Sequence, residues 1–408
     1  MTTTQPAGIG TWRVPFVRPD VPVFAEVGPA MAAAVASGAL TKGGHLQAFE
    51  TEARGVCGSA EMVGVSSCTI GLMLVLEALS ALATSHRSGC PPACTVAGAP
   101  ADGRDEVIVP SFIFLAAPAA IVWAGLKPVF VDVDPFSFTV DSEAVEAAIG
   151  PRTAAILACH TFGCPCDMPA LAAIADRAGV PLVVDAAHGF GTIQQGRHVG
   201  AAGLAQVFSL SPTKLVVAGE GGLVATSCPC LAEMVRVGRE YGNDGMYGCD
   251  RPGLNARMPE MSAILARASL ARLPEVAARR REAAAAYREA LEGAPGIGFQ
   301  RVPHGDESSW KDFCISVDPQ SAGISRDALR SALADRGIDT RAYYSPACHQ
   351  MRAFAPFRPA GRSLPVTDRL AASLVALPMG AHVSADVARA VADEIRECLS
   401  VEGRWARA

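Results

Sequence analysis

The chain has 408 residues, 50% of them hydrophobic, which supplies a large core and exceeds the length of a typical single domain. Its formal net charge is -5, with 35 Lys and Arg scattered among 40 Asp and Glu, which argues against a nucleic-acid or polyanion surface. No run of about 18 uncharged apolar residues occurs, and the N-terminal MTTTQPAGIGTW lacks the features of a secretory signal, so a cytoplasmic protein without membrane contact is expected.

An arm over residues 1–25, containing VPFVRPDVPVF, precedes a helix predicted at 26–37, a GALTKGGH turn and a helix at 45–56. MVGVSS reads as a short apolar strand feeding the helix CTIGLMLVLEALSAL, whose apolar residues recur at helical spacing. Residues 86–105 are rich in Pro, Gly and Cys without periodicity and predict a long surface loop. There follow strand EVIVPSF, helix LAAPAAIVWAG, strand KPVFVDVD, a helix at 141–149, strand AAILACH, helix MPALAAIADRAG and strands PLVVDAA and AQVFSL. Uniformly apolar strands alternating with amphipathic helices indicate an α/β fold with a mostly parallel sheet covered on both faces.

From about 262 the pattern changes to one long helix, kinked at Pro274 and carrying the RRR run at 279–281. WKDFCISVD and helices at 325–336 and 384–399 complete a smaller α+β unit. The expected division is an arm (1–25), a large α/β domain (26–270) and a small C-terminal α+β domain (271–408). Thirteen cysteines, an odd number in a long chain without a secretion signal, read as thiols. The pairs Cys164/Cys166, Cys228/Cys230 and Cys90/Cys94 all miss the C-x-x-C spacing of a zinc site, so no metal is expected.

In such a sheet, ligands sit at the carboxyl ends of the strands. Here those ends carry SSCT (66–69), SFIF (111–114), DAAH (185–188) and, after QVFS, LSPTK with Lys214. Hydroxyls and amides at a helix N-terminus, an aromatic face, a carboxylate and a lysine together suit pyridoxal 5'-phosphate. Ser67 and Thr69 would take its phosphate, Phe114 would stack on its ring and His188 would meet the ring oxygen O3'. Asp185 would keep the pyridine nitrogen protonated, and Lys214 would join the aldehyde. Plainer readings stand beside these: Asp185, Ser67 and Thr69 as helix caps, His188 as a satisfied structural histidine, Phe114 as core and Lys214 as a snorkelling surface lysine. GEGG (219–222) reads as a tight turn with positive φ.

VIVPSFIFLAAPAAIVWAGLKPVFVDVD, VVDAAHGFG, FSLSPTKLVVAGEGG and NARMPEMSA resemble, in the same order, the motifs of the DegT/DnrJ/EryC1/StrS family of sugar aminotransferases, over roughly residues 20–398. The resemblance implies the fold type I of the aspartate aminotransferase superfamily and a homodimer with active sites between subunits. It also implies transfer of an amino group from L-glutamate to a ketosugar, usually nucleotide-linked, with the cofactor passing through pyridoxamine 5'-phosphate. By the same resemblance Lys214, Asp185, His188 and Phe114 keep the roles given above, and Ser209 becomes a phosphate ligand. Asn255 matches an asparagine that reaches the phosphate from the partner subunit, and Tyr344 and His349 border the sugar pocket. Cys68 replaces the glycine of the usual S-G-T turn, Ile113 stands where threonine is common, and 86–105 looks like an insertion. A dTDP-4-keto-6-deoxyhexose aminated at C4, in deoxysugar or antibiotic biosynthesis, is the expected acceptor. The alternatives are a C3-ketosugar and an inosose. Lys214 argues against a dehydratase-type relative, which would have lost the lysine, and retention of both Asp185 and Lys214 argues against a non-catalytic protein on the same fold.

Overall fold

The computed structural model describes residues 12–84, 103–243, 245–249, 251–359, 361 and 363–405. Seven strands form the main sheet in the spatial order Glu61–Val65, Gly222–Thr226, Ala205–Ser209, Leu182–Asp185, Thr153–Cys159, Glu106–Pro110 and Lys127–Val131. The last five run parallel to one another, and Gly222–Thr226 is antiparallel to both of its neighbours. This is the mostly parallel α/β architecture expected from the apolar strands.

Alternation along each strand distributes side chains to two faces. Val107, Val109, Leu157 and Val207 face the helices Cys68–Thr84, Ala116–Trp123 and Pro229–Gly238, meeting Leu72, Ile121 and Val235. On the other side, Ile108, Ile156 and Val184 pack on Val145, Leu171 and Ile174 of the helices Ser142–Ala148 and Met168–Ala178. Met62 and Phe208 pack there on Leu46 and Phe49 of Gly44–Cys57. Local signals set the ends: Asp167 accepts from the Ala170 amide at 3.0 Å to start the Met168–Ala178 helix, and Gly179, with φ 62°, ends it.

A second sheet, Ile297–Phe299, Phe313–Val317 and Leu374–Leu377, is antiparallel throughout. Helices Leu273–Leu291, Arg326–Asp335 and Ala385–Trp405 bury Tyr287, Leu333 and Ile395 with it. The arm is stitched to this part of the molecule: Val14 bridges Ile338, and Phe16 is buried.

Several expectations are corrected. The long helix kinked at Pro274 is two helices, Glu260–Ala271 and Leu273–Leu291, because a proline is harmless in a first turn, where its missing N–H has no partner to lose. The first helix begins at Phe24, inside the expected arm. The strands Gly222–Thr226, Ile297–Phe299 and Leu374–Leu377 and the helix Pro229–Gly238 were not predicted; their short runs show too little periodicity to be read locally. Cys230 is disulfide-bonded rather than a thiol, a pairing that depends on spatial proximity and leaves no trace in spacing. The predicted 86–105 loop lies outside the described residues up to position 102. Among the described residues no helix is long and apolar enough to cross a membrane.

Candidate active site

The strand ends converge on a cavity of about 390 Å3. Ser67, Cys68, Thr69, Phe114, Asp185, His188, Ser209, Lys214 and Tyr344 all line it. Asn255 and His349 lie outside its lining. Asn255 is exposed and accepts from Arg257 Nη2 at 3.0 Å, while the carbonyl of the next residue, Ala256, accepts from Ser66 N at 2.8 Å. His349 packs on Ser111, with Nδ1 2.7 Å from the hydroxyl, and its Nε2 lies 3.3 Å from Asp368 Oδ1.

One end of the cavity is built for an anion. Ser67 Oγ caps the Cys68–Thr84 helix by accepting from the Ile70 amide at 3.2 Å, so the capping reading of Ser67 holds. The amides of Cys68 and Thr69, in the first turn, have no intrahelical acceptor and lie at the positive end of the helix dipole. The thiol of Cys68 turns down into the core, donating to the Val207 carbonyl at 3.3 Å, so replacing the family's glycine leaves the anion side of the turn open. Gly222 allows the neighbouring strand this close: a Cβ there would lie 2.4 Å from the Ser67 carbonyl carbon. In GEGG, Gly219 has φ 78°, the positive φ expected of that turn.

The other groups are tuned by burial. Asp185 Oδ1 accepts from the Ala187 amide at 2.9 Å and lies 3.8 Å from Cys68 Sγ; burial raises its pKa, and the Ala187 hydrogen bond and then the charge of Lys214 reduce that rise without cancelling it. His188 Nδ1 accepts from the Phe162 amide at 3.2 Å, which assigns the proton of the neutral ring to Nε2. Burial, followed by the charge of Lys214, holds His188 well below the usual imidazole range. Lys214 is half-buried and its ammonium has no ion-pair or hydrogen-bond partner among the described residues. Burial and the neighbouring Lys311 bring its pKa down to about 8, and its place in the cavity lining argues against the snorkelling surface lysine. Phe114 is 52% exposed, so it is no core residue; its ring flanks Tyr344 at 6.5 Å.

These residues fit pyridoxal 5'-phosphate. Free amides meet a phosphate, an exposed aromatic face meets a ring, and a carboxylate and a neutral histidine N–H meet the ring's nitrogen and oxygen. An amine of lowered pKa meets the aldehyde.

The sequence reading missed Lys311 and Asp312, which line the same cavity, together with Ser211, Thr213, Glu220 and Tyr343. The missed signal was two adjacent charges inside the apolar run WKDFCISVD.

The pattern of the DegT/DnrJ/EryC1/StrS aminotransferase family matches residues 25–396. The chain is 37% identical, over 374 residues, to the dTDP-3-amino-3,4,6-trideoxy-alpha-D-glucose transaminase of Streptomyces venezuelae, covering 91% of this chain and 92% of that one. It is 36% identical to the erythromycin biosynthesis sensory transduction protein EryC1 of Saccharopolyspora erythraea, covering 86% and 89%. A crystal structure of DesI with its TDP-sugar product superposes with a TM-score of 0.85 at 34% identity, covering 98% of this chain and 97% of that one. S. venezuelae DesV in complex with a ketimine intermediate gives 0.82 at 36%, covering 94% and 99%.

Proposed function

This chain belongs to the DegT/DnrJ/EryC1/StrS family of pyridoxal-phosphate-dependent sugar aminotransferases, and from that premise we propose that it moves the amino group of L-glutamate onto a nucleotide-linked ketosugar. The observation that carries the reading is the meeting of Asp185, His188 and Lys214, the last without a hydrogen-bond partner among the described residues, in one cavity beside an open helix N-terminus.

When bound, the cofactor supplies an aldehyde that takes up the amino group and an electron-poor ring that accepts the electron pair left at the donor's Cα. Lys214, whose amine lies in the cavity, would hold and move the proton between the donor's Cα and the cofactor's C4', and again in the opposite direction with the ketosugar. Asp185 holds the proton of the ring nitrogen in both directions. His188 would donate from Nε2 to the ring oxygen, Phe114 would cover the ring face, and Ser67, Thr69 and Ser209 with the first-turn amides would hold the phosphate. Glutamate and ketosugar become 2-oxoglutarate and aminosugar, with no net redox change.

The acceptor to test first is a dTDP-4-keto-6-deoxyhexose aminated at C4, on the motif resemblance. Amination at C3 is the second reading, because the 37%-identical relative is named for a 3-amino sugar. We also read the molecule as a homodimer in which Asn255 reaches the partner's phosphate site; its exposure outside its own cavity supports this. In the same reading, the unit from residue 271 onward is a small domain that contributes Lys311, Asp312 and Tyr344 to the cavity.

Incubating the pure protein with glutamate and dTDP-4-keto, dTDP-3-keto and inosose acceptors, and measuring aminosugar and 2-oxoglutarate, tests the proposal. Turnover of the 4-ketosugar is expected. Turnover of the 3-ketosugar alone selects the second reading, and turnover of inosose alone removes the nucleotide-linked acceptor.

A further inference from the structure

Asp312 is 2% exposed. Its Oδ1 lies 2.8 Å from Lys311 Nζ, and its Oδ2 is buried with no hydrogen-bond partner among the described residues. Both residues line the cavity beside Lys214, Tyr343 and Tyr344. A buried carboxylate oxygen without a donor is costly unless a ligand meets it.

The placement is built rather than incidental. Consecutive residues of a regular strand point to opposite faces, yet 311 and 312 reach the same cavity, because the chain just ahead of them is irregular. Trp310 takes φ 46°, and Phe162, whose carbonyl accepts from the Lys311 amide at 3.1 Å, takes φ 59°. Bulky residues adopt left-handed φ only where the surroundings hold them there. Buried Arg280 does so from the other side, donating from Nη1 to the Lys311 carbonyl at 2.9 Å and to the Trp310 carbonyl at 3.2 Å.

The chemistry of the pair distinguishes the two substrates. Glutamate offers two carboxylates, which have no hydrogen to donate to Asp312, and one amino group, which is consumed in the reaction. A ketosugar offers hydroxyl donors and no charge near the carbonyl. The Lys311 contact fixes the Asp312 carboxylate through Oδ1 and leaves Oδ2, on a residue that lines the cavity, without a partner among the described residues.

We propose that Asp312 is a specificity residue for the acceptor, its free Oδ2 accepting a hydrogen bond from one hydroxyl of the ketosugar, with Lys311 as its positioning residue. The proposal rests on the sugar-aminotransferase reading of this cavity. It does not depend on which carbonyl is aminated.

The two half-reactions separate the claims. Glutamate bleaches the colour of the bound cofactor, and the ketosugar restores it. In Asp312→Asn and Asp312→Ala, bleaching by glutamate continues, which also reports that the site has folded. The kcat/KM for recovery with the ketosugar falls on the order of 10- to 100-fold, the worth of a hydrogen bond to a charged acceptor. Among monodeoxy ketosugars, one loses that same factor with the wild-type protein and loses nothing further with Asp312→Asn. Recovery at the wild-type rate in both variants, or the absence of any deoxy sugar with that pattern, overturns the proposal while leaving the aminotransferase reading intact. A wild-type holoprotein that glutamate does not bleach removes both.

Discussion

At the scale of the residue, the proposed chemistry turns on Lys214, and its surroundings set its charge. An ordinary lysine is almost fully protonated at neutral pH, and only the neutral amine attacks an aldehyde. With its pKa brought down to about 8, Lys214 is roughly one-tenth neutral at pH 7, against less than about one in a thousand for an ordinary lysine. Cofactor-stripped protein is therefore expected to take up pyridoxal phosphate faster as pH rises, levelling off above a midpoint about two units below that of free lysine. Lys311 lowers the Lys214 pKa and Asp312 raises it, so Lys311→Met moves the midpoint up and Asp312→Asn moves it down. Colour development followed against pH reads both signs. Lys214→Ala abolishes turnover and leaves the cofactor removable by gel filtration. Asp185→Asn removes a carboxylate worth about 1–3 pK units to the ring nitrogen, so activity drops by on the order of 10- to 1000-fold with an unchanged circular dichroism spectrum.

At the scale of the element, the site depends on how closely two strand ends approach. The Gly222–Thr226 strand packs against the Ser67–Cys68 turn, where a Cβ at position 222 would collide with backbone rather than with a movable side chain. Gly222→Ala is expected to cost about 1–3 kcal/mol of stability and to weaken cofactor binding with it, read by thermal unfolding and by cofactor titration. Phe112 and Phe114 make a contrasting pair on one loop. Phe112 is 0% exposed and packs edge-on against Phe162, so Phe112→Ala costs about 3–5 kcal/mol of stability. Phe114→Ala leaves stability nearly unchanged and weakens cofactor binding by about 0.5–1.5 kcal/mol, the worth of a stacked ring.

At the scale of the whole molecule, large apolar side chains stand exposed near the cavity and near Asn255. Phe114 lines the cavity itself, and Leu115, Trp123, Tyr241 and Tyr247 are exposed on the segments that follow Phe114 or flank Asn255; Trp123 is 76% exposed and Tyr247 99%. The segment carrying Tyr241 is bonded to the one carrying Asn255 through the Tyr241 amide and the Leu254 carbonyl, at 3.1 Å. The homodimer we propose covers these residues, and analytical ultracentrifugation is expected to give one species of twice the chain mass. If Asn255 serves the partner's site, mixing inactive Lys214→Ala and Asn255→Ala subunits restores roughly a quarter of wild-type activity, since half the dimers are mixed and each has one intact site of two. No recovery after subunit exchange places Asn255 outside the partner's site.

The sequence by itself determined the α/β class, the parallel strands and the positions of Ser67, Phe114, Asp185, His188 and Lys214 at their ends, because apolar runs and the polar residues closing them are local signals. It did not reveal Lys311 and Asp312, which join the cavity from the segment just ahead of the Phe313–Val317 strand, more than 90 residues beyond Lys214 in the sequence numbering. Nor did it reveal that Cys68 points into the core, that Arg280 is buried, or that Lys214 loses its proton so readily. Those properties belong to no segment alone: burial, field and the direction of a side chain are fixed only when distant parts of the chain exclude water from the same place.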